Sequence, residues 1–169
     1  MKSIIIYTDG AVPNNQSKII KTGGIGVFFG ENDQNNISFK LKETPSTKVT
    51  NMVCETLACI MALETLVSTQ QIKNSNIIIK TDSMYIVNSM TIWAKSWEEN
   101  NWIKSDGKPV QNVELIKKLY YLSRNMNVTY THVKAHRKAP PLDSNIYIDY
   151  YGNYMADKLA TNAATNNYK

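Results

Sequence analysis

Two runs rich in β-branched residues limit what this chain can fold into. Ser3-Ile4-Ile5-Ile6-Tyr7-Thr8 and Asn76-Ile77-Ile78-Ile79-Lys80-Thr81 read as strands buried within a sheet. Each is followed by an aspartate, so Asp9 and Asp82 are expected at the carboxyl ends of two strands. Gly10 comes directly after the first, and Ser83, a residue suited to cap a helix, directly after the second.

The segments between and after these strands complete a pattern. The glycine-rich run 22–30 (TGGIGVFFG) and the run 37–42 predict two more strands, forming an antiparallel meander with the first. The apolar spacing over 51–68 predicts a helix packed on the sheet, with Glu55 in its early part. A short helix from Met84, a helix over 113–125, a strand over 128–134 and a last amphipathic helix follow. Gly152-Asn153 is read as the approach to that last helix, which places Asp157 near its start, where an anion is favoured. Strands followed by alternating helices and strands predict an α/β fold, a five-stranded mixed sheet flanked by helices. The segments 93–112 and 137–151 carry the weakest periodicity, and long irregular connections in a compact domain are more often functional than neutral.

At 169 residues the chain is expected to form a single domain with a core large enough to need no staples. Cys54 and Cys59 lie five positions apart on one predicted helix, about 140° apart around it at 3.6 residues per turn, and cannot bridge. Reduced thiols, Met1-Lys2 leading straight into a strand, and no run approaching ~20 apolar residues predict a cytoplasmic protein with no membrane partner. The net charge of +5 favours a polyanion, and residues 113–150 carry six Lys or Arg against three acids.

Asp9, Glu55, Asp82 and Asp157 share one trait: each stands where the scaffold turns to the surface. Any one alone reads equally as a cap or a solvated acid. A convergent, uncompensated set would call for cations, and hard oxygen ligands with no His/Cys metal spacing suit Mg²⁺ or Mn²⁺ rather than zinc.

The strings YTDGA, CETLACIMALE, KTDSMYIVNSM, KPVQN, VKAH and GNYMADKLA, with Trp93, Trp97 and Trp102 spaced between them, occur in the order found in type 1 ribonuclease H. The resemblance runs from about residue 3 to 165. It implies a ribonuclease H-like fold with a Trp-containing handle at 91–112, and an endonuclease that cuts the RNA strand of an RNA–DNA hybrid, leaving 5′-phosphate and 3′-hydroxyl ends. Asp9, Glu55, Asp82 and Asp157 match the family's four metal-binding acids, which implies two Mg²⁺ ions, with Mn²⁺ as the other candidate. His136 matches a mobile-loop histidine that assists proton transfer or product release. Gly10, Asn15, Lys48, Thr50, Asn51, Trp93, Trp97 and Asn112 match substrate-contact positions, with Thr50 and Asn112 in a pocket for a DNA-strand phosphate and Lys48 beside it. A monomer is expected.

Three departures from the family pattern stand out. Met52 replaces a polar amide. The handle has no net charge, its three lysines facing Glu98, Glu99 and Asp106. The segment 137–151 is longer than usual and is expected as an extended, partly stiff loop whose tyrosines stack on a base or pack on the domain. Alternatives are a non-catalytic binding domain of the same fold, a reverse-transcriptase-associated ribonuclease H domain, or another superfamily nuclease. Against the last, Asp9 is followed by glycine rather than by a second acid two positions on.

Overall fold

The computed structural model describes residues 1–13, 20–135 and 137–165. Five strands, β1 (Lys2–Ala11), β2 (Thr22–Phe28), β3 (Ile37–Lys42), β4 (Ser75–Thr81) and β5 (Val128–His132), form one sheet in the order β3-β2-β1-β4-β5. The β3-β2-β1 half is antiparallel and the β1-β4-β5 half parallel, so the mixed sheet expected from the sequence is the one observed. β1 and β4, the two isoleucine runs, lie side by side in its centre, with Ile4 opposite Ile77 and Ile6 opposite Ile79.

Helix α1 (Asn51–Ser68) covers one face. Thr50 caps it, its hydroxyl accepting from the Val53 amide at 3.1 Å. Ile60, Leu63 and Leu66 are buried against Ile6, Ile25 and Ile79, each such side chain contributing roughly 1.5–3 kcal/mol of burial. With a mean hydropathy of 1.3 over 18 residues, α1 is long and apolar enough by composition to cross a bilayer, against the sequence reading, but here it is a core helix, half buried. Cys54 and Cys59 are buried and unbridged on it.

Helix α2 (Met84–Asn88) begins at Ser83, whose hydroxyl accepts from the Ile86 amide. The chain then makes a π turn over Ser89–Trp93 and runs on as α3 (Ala94–Glu99). The irregular segment expected from residue 93 is therefore helical as far as Glu99. A π turn holds one more residue than an α turn, so Tyr85 and Trp93, eight positions apart, come onto one side, with ring centroids 5.9 Å apart. Of the three tryptophans, Trp102 is buried, with Ala94, Val110 and Ile116, while Trp93 is exposed and leans on Trp97 at 5.7 Å. Helix α4 (Val113–Arg124) follows and packs on α1.

The largest correction concerns the last helix. α5 (Tyr147–Thr165) starts five residues before Gly152, so the extended loop predicted over 137–151 ends at Ile146, and Asp157 lies mid-helix rather than near its start. Glycine at 152 misled the sequence reading because it looks like a helix boundary. Its role is close approach: a Cβ there would sit 2.3 Å from the Tyr7 ring. The tyrosines of this segment pack on the domain. Tyr151 meets Phe28 edge-on at 6.0 Å and stacks on Tyr147 at 6.3 Å, and its hydroxyl donates to Glu31 at 2.5 Å.

Candidate active site

β1 runs two residues past Asp9, and its side chains alternate between the two faces of the sheet. Ile4 and Ile6 pack with α1, and Thr8 Oγ1 lies 3.5 Å from Cys59 Sγ on the same helix, whereas Tyr7 packs with Ala156 of α5. Asp9 and Asp82 therefore stand on the α5 face at the same end of two neighbouring parallel strands. Gly10 brings α1 to them, because a Cβ at that position would lie 2.6 Å from the Glu55 amide nitrogen. No larger residue fits between the strand and the start of the helix.

The result is a cluster in which oxygens of Asp9, Glu55 and Asp82 lie within 4.8 Å of one another. Asp157 faces Asp9 from α5, acting on its carboxyl through a side-chain hydrogen bond and its charge. Asp9 is only 4% exposed, and burial first, then the charges of Asp82 and Asp157, raises its carboxyl well above the ordinary range; the Gly10 amide, donating to Oδ1 at 2.8 Å, works the other way. Burial and Asp82 likewise push Glu55 up to about 7, against a lowering hydrogen bond from Ser83. What perturbs these two acids is loss of water and the neighbouring acids, Asp82 for both and Asp157 for Asp9, a cost that a bound cation removes. The all-oxygen set fits Mg²⁺ or Mn²⁺.

Other sequence-predicted residues divide. Lys48 and Asn112 line one groove of about 690 Å³, together with Ser46, Thr47, Val113 and Glu114. Thr50 and Asn51 are exposed at the start of α1, Thr50 using its oxygen lone pairs as the cap while its hydroxyl proton remains available. The Gly10 amide is taken by Asp9 Oδ1, at 2.8 Å. Asn15 and His136 lie outside the described residues. Met52 is half-buried against the core, which accounts for an apolar residue there.

The basic surface expected over 113–150 is not one face. Lys118 pairs with Glu64 of α1 at 2.8 Å, and Arg124 with Glu98 at 2.8 Å. Arg124 also lies beside Met1, Asn74 and Asn127, at the end of the sheet opposite Asp9. α4 carries it there by running back along the sheet.

One group escaped the sequence reading. Asp149, in the first turn of α5, accepts from Tyr7 Oη at 2.6 Å and from Lys80 Nζ at 2.7 Å. Burial would raise its carboxyl, but the Lys80 and Tyr7 hydrogen bonds outweigh this and hold it below the usual carboxylate range. Tyr7 and Lys80 each precede a cluster aspartate by two positions, but nothing local in the sequence ties Asp149 to them.

The family model described as RNase H matches residues 1–165, and the chain belongs to that family. It is 33% identical over 161 residues to "Ribonuclease H" of Schizosaccharomyces pombe, covering 95% of this chain and 53% of that one. It is 36% identical over 169 residues to "Ribonuclease H" of Prosthecochloris aestuarii, covering 98% of each. The chain thus spans about half the length of the yeast relative and nearly all of the bacterial one. Among solved structures, LC9-RNase H1, a type 1 RNase H with the type 2 active-site motif, superposes with a TM-score of 0.68 at 21% identity, covering 96% of this chain and 72% of that one.

Proposed function

We propose that this protein hydrolyses the RNA strand of RNA–DNA hybrids, using divalent ions held by Asp9, Glu55, Asp82 and Asp157. The observation that carries the reading is the convergence of three carboxylates within 4.8 Å, with the fourth facing Asp9, in a chain of the RNase H family. Such acids repel one another, and nothing in the fold's stability calls for placing them together.

Bound Mg²⁺ or Mn²⁺, two ions by the family resemblance, would supply Lewis-acid stabilisation of the phosphate charge and lower the pKa of a water so that it could lose a proton and act as the nucleophile. The chain's own residues do the rest. Asp9 is fixed by the Gly10 amide, and Glu55 by the Ser83 hydroxyl, so both oxygens are aimed before substrate arrives. Lys48 and Asn112, in one groove with the Thr50 cap at the nearby start of α1, offer a cation, an amide and a hydroxyl to a backbone phosphate of the strand that is not cut. Asn51 and Trp93 are both exposed, which supports a role for Asn51 in sensing ribose hydroxyls and for Trp93 against the sugar-phosphate of the second strand. His136 is assigned a proton-shuttling part on the resemblance. Buried, unbridged thiols support an intracellular setting.

The experiment is cleavage of a labelled RNA–DNA hybrid beside duplex DNA and duplex RNA, with Mg²⁺, Mn²⁺ or chelator. Hybrid-only, metal-dependent cutting of the RNA strand is expected. Cleavage that survives the chelator, or equal cutting of all three duplexes, refutes the reading.

A further inference from the structure

Tyr7 and Lys80 are register partners across β1 and β4. Tyr7 sits one row beneath Asp9 on the same face of β1, because residues two apart share a face, and Lys80 stands two residues before Asp82, which follows the last residue of β4. Both donate to a single atom, Asp149 Oδ1, at 2.6 and 2.7 Å. Asp149 is the third residue of α5, and Asp157, eight residues further along that helix, faces Asp9.

From Gly152 to Ala160 α5 approaches the sheet most closely at small residues, with Tyr151 packed on Phe28 and Ser38 of β3 donating to the Leu159 carbonyl at 2.7 Å. Gly152 lies on the Tyr7 ring, Ala156 over Gly26 and Ala160 over Gly24, where added Cβ atoms would come within 2.3, 2.1 and 1.8 Å of their neighbours. Close van der Waals contact of this kind fixes how near the helix lies to the sheet. It is non-directional, and it resists sliding along the helix axis only weakly. The charge-assisted bonds to Asp149 are directional, and they reach two strands at once. The Lys80 side chain is 17% exposed, so this pair is better shielded from water than an ordinary surface ion pair.

We propose that Asp149 is a positioning residue, whose carboxylate, shared by Tyr7 and Lys80, sets the axial register of α5 across β1 and β4 and so presents Asp157 to Asp9. This rests on the reading of the four acids as the metal-holding set. The segment that looked in the sequence like a long loop is then the device that seats the fourth acid.

The test compares wild type, Asp149→Ala, Asp149→Asn and Tyr7→Phe at a temperature at which all are folded by circular dichroism. Mn²⁺ binding is measured by calorimetry without substrate, and kcat and KM on hybrid are measured across a Mg²⁺ series. Asp149→Ala is expected to weaken Mn²⁺ binding about tenfold, at the low end of what supporting residues around a metal contribute. It should lower kcat at fixed Mg²⁺ by a similar factor, with KM for hybrid within about twofold and partial recovery at high Mg²⁺. Asp149→Asn, which keeps an oxygen acceptor for both donors, and Tyr7→Phe, which removes one donor, should fall between these limits. If Asp149→Ala does not fold, those two variants decide the question.

A lower melting temperature with unchanged Mn²⁺ affinity and unchanged kcat in the folded variants overturns the proposal and leaves Asp149 a stability residue. If the wild type fails to cut hybrid while Mn²⁺ binding still depends on Asp149, the functional reading fails and the positioning role stands.

Discussion

At the scale of single residues, this site trades stability for chemistry. Asp9 is held buried among like charges, so replacing it with the isosteric amide should abolish cleavage and stabilise the metal-free protein at once. Relief on the order of 1 kcal/mol would raise the melting temperature by roughly 2–4 °C. A cleaving Asp9→Asn protein would contradict the assignment, and so would one that is less stable than wild type without metal. Glu55 makes a pH prediction with a definite sign. Its carboxyl stands at about 7 in the fold against an ordinary 4.5, so the folded state holds the proton more tightly than the unfolded chain. The associated stability is present in full below 4.5 and lost as pH rises through 7. Metal-free protein should therefore be less stable at pH 8 than at pH 5 by on the order of 2 kcal/mol, after allowing for screening at a partly exposed group, and melt at a lower temperature. Added Mg²⁺ should close most of that gap, and scanning calorimetry with and without chelator measures both effects.

At the scale of elements, the seating of α5 decides whether the fourth acid arrives. Gly24 and Gly26 of β2 meet backbone atoms of α5, not flexible side chains, so a methyl group cannot be absorbed by a rotamer change. Gly24→Ala should cost about 3 kcal/mol, at the upper end of ordinary overpacking. It should also reduce cleavage more than its stability loss explains, because the helix that moves carries Asp157. Gly30→Ala, with open space around the new methyl, is the control and should be near neutral. Urea unfolding beside a hybrid assay separates the two effects. The opposite face behaves differently. α1 is anchored by large side chains, and the cap at Thr50 together with the close approach at Gly10 fixes where Glu55 enters.

At the scale of the whole molecule, the net charge of +5 overstates the surface available to a polyanion. Arg124 and Lys118 are already paired with acids, Lys80 is engaged by Asp149, and the handle is uncharged overall. Few phosphates can be neutralised, so log affinity for hybrid should fall with log salt at a slope of about −2 to −5. A slope that requires eight or more phosphate contacts would show a basic surface this arrangement does not provide. Fluorescence anisotropy on labelled hybrid, with chelator to prevent cutting, measures it.

What the sequence determined by itself was local in origin. The isoleucine runs placed β1 and β4 because β-branched residues encode a buried strand without outside help, and Thr50 and Ser83 marked helix starts because capping is a contact across three residues. The four acids were legible through their neighbourhoods. The tertiary structure alone decided what depends on partners distant in the chain. Gly152 looked like a boundary and proved to be a contact with Tyr7, 145 positions away, so the helix begins earlier than local signals indicate. Arg124 counted as free charge until α4 was seen to deliver it to Glu98. Asp149 looked like one more acid in an irregular segment, because an ion pair formed across 69 residues leaves no local trace. Propensity and capping act over a few residues, whereas close approach and charge pairing exist only once the sheet has brought remote segments together.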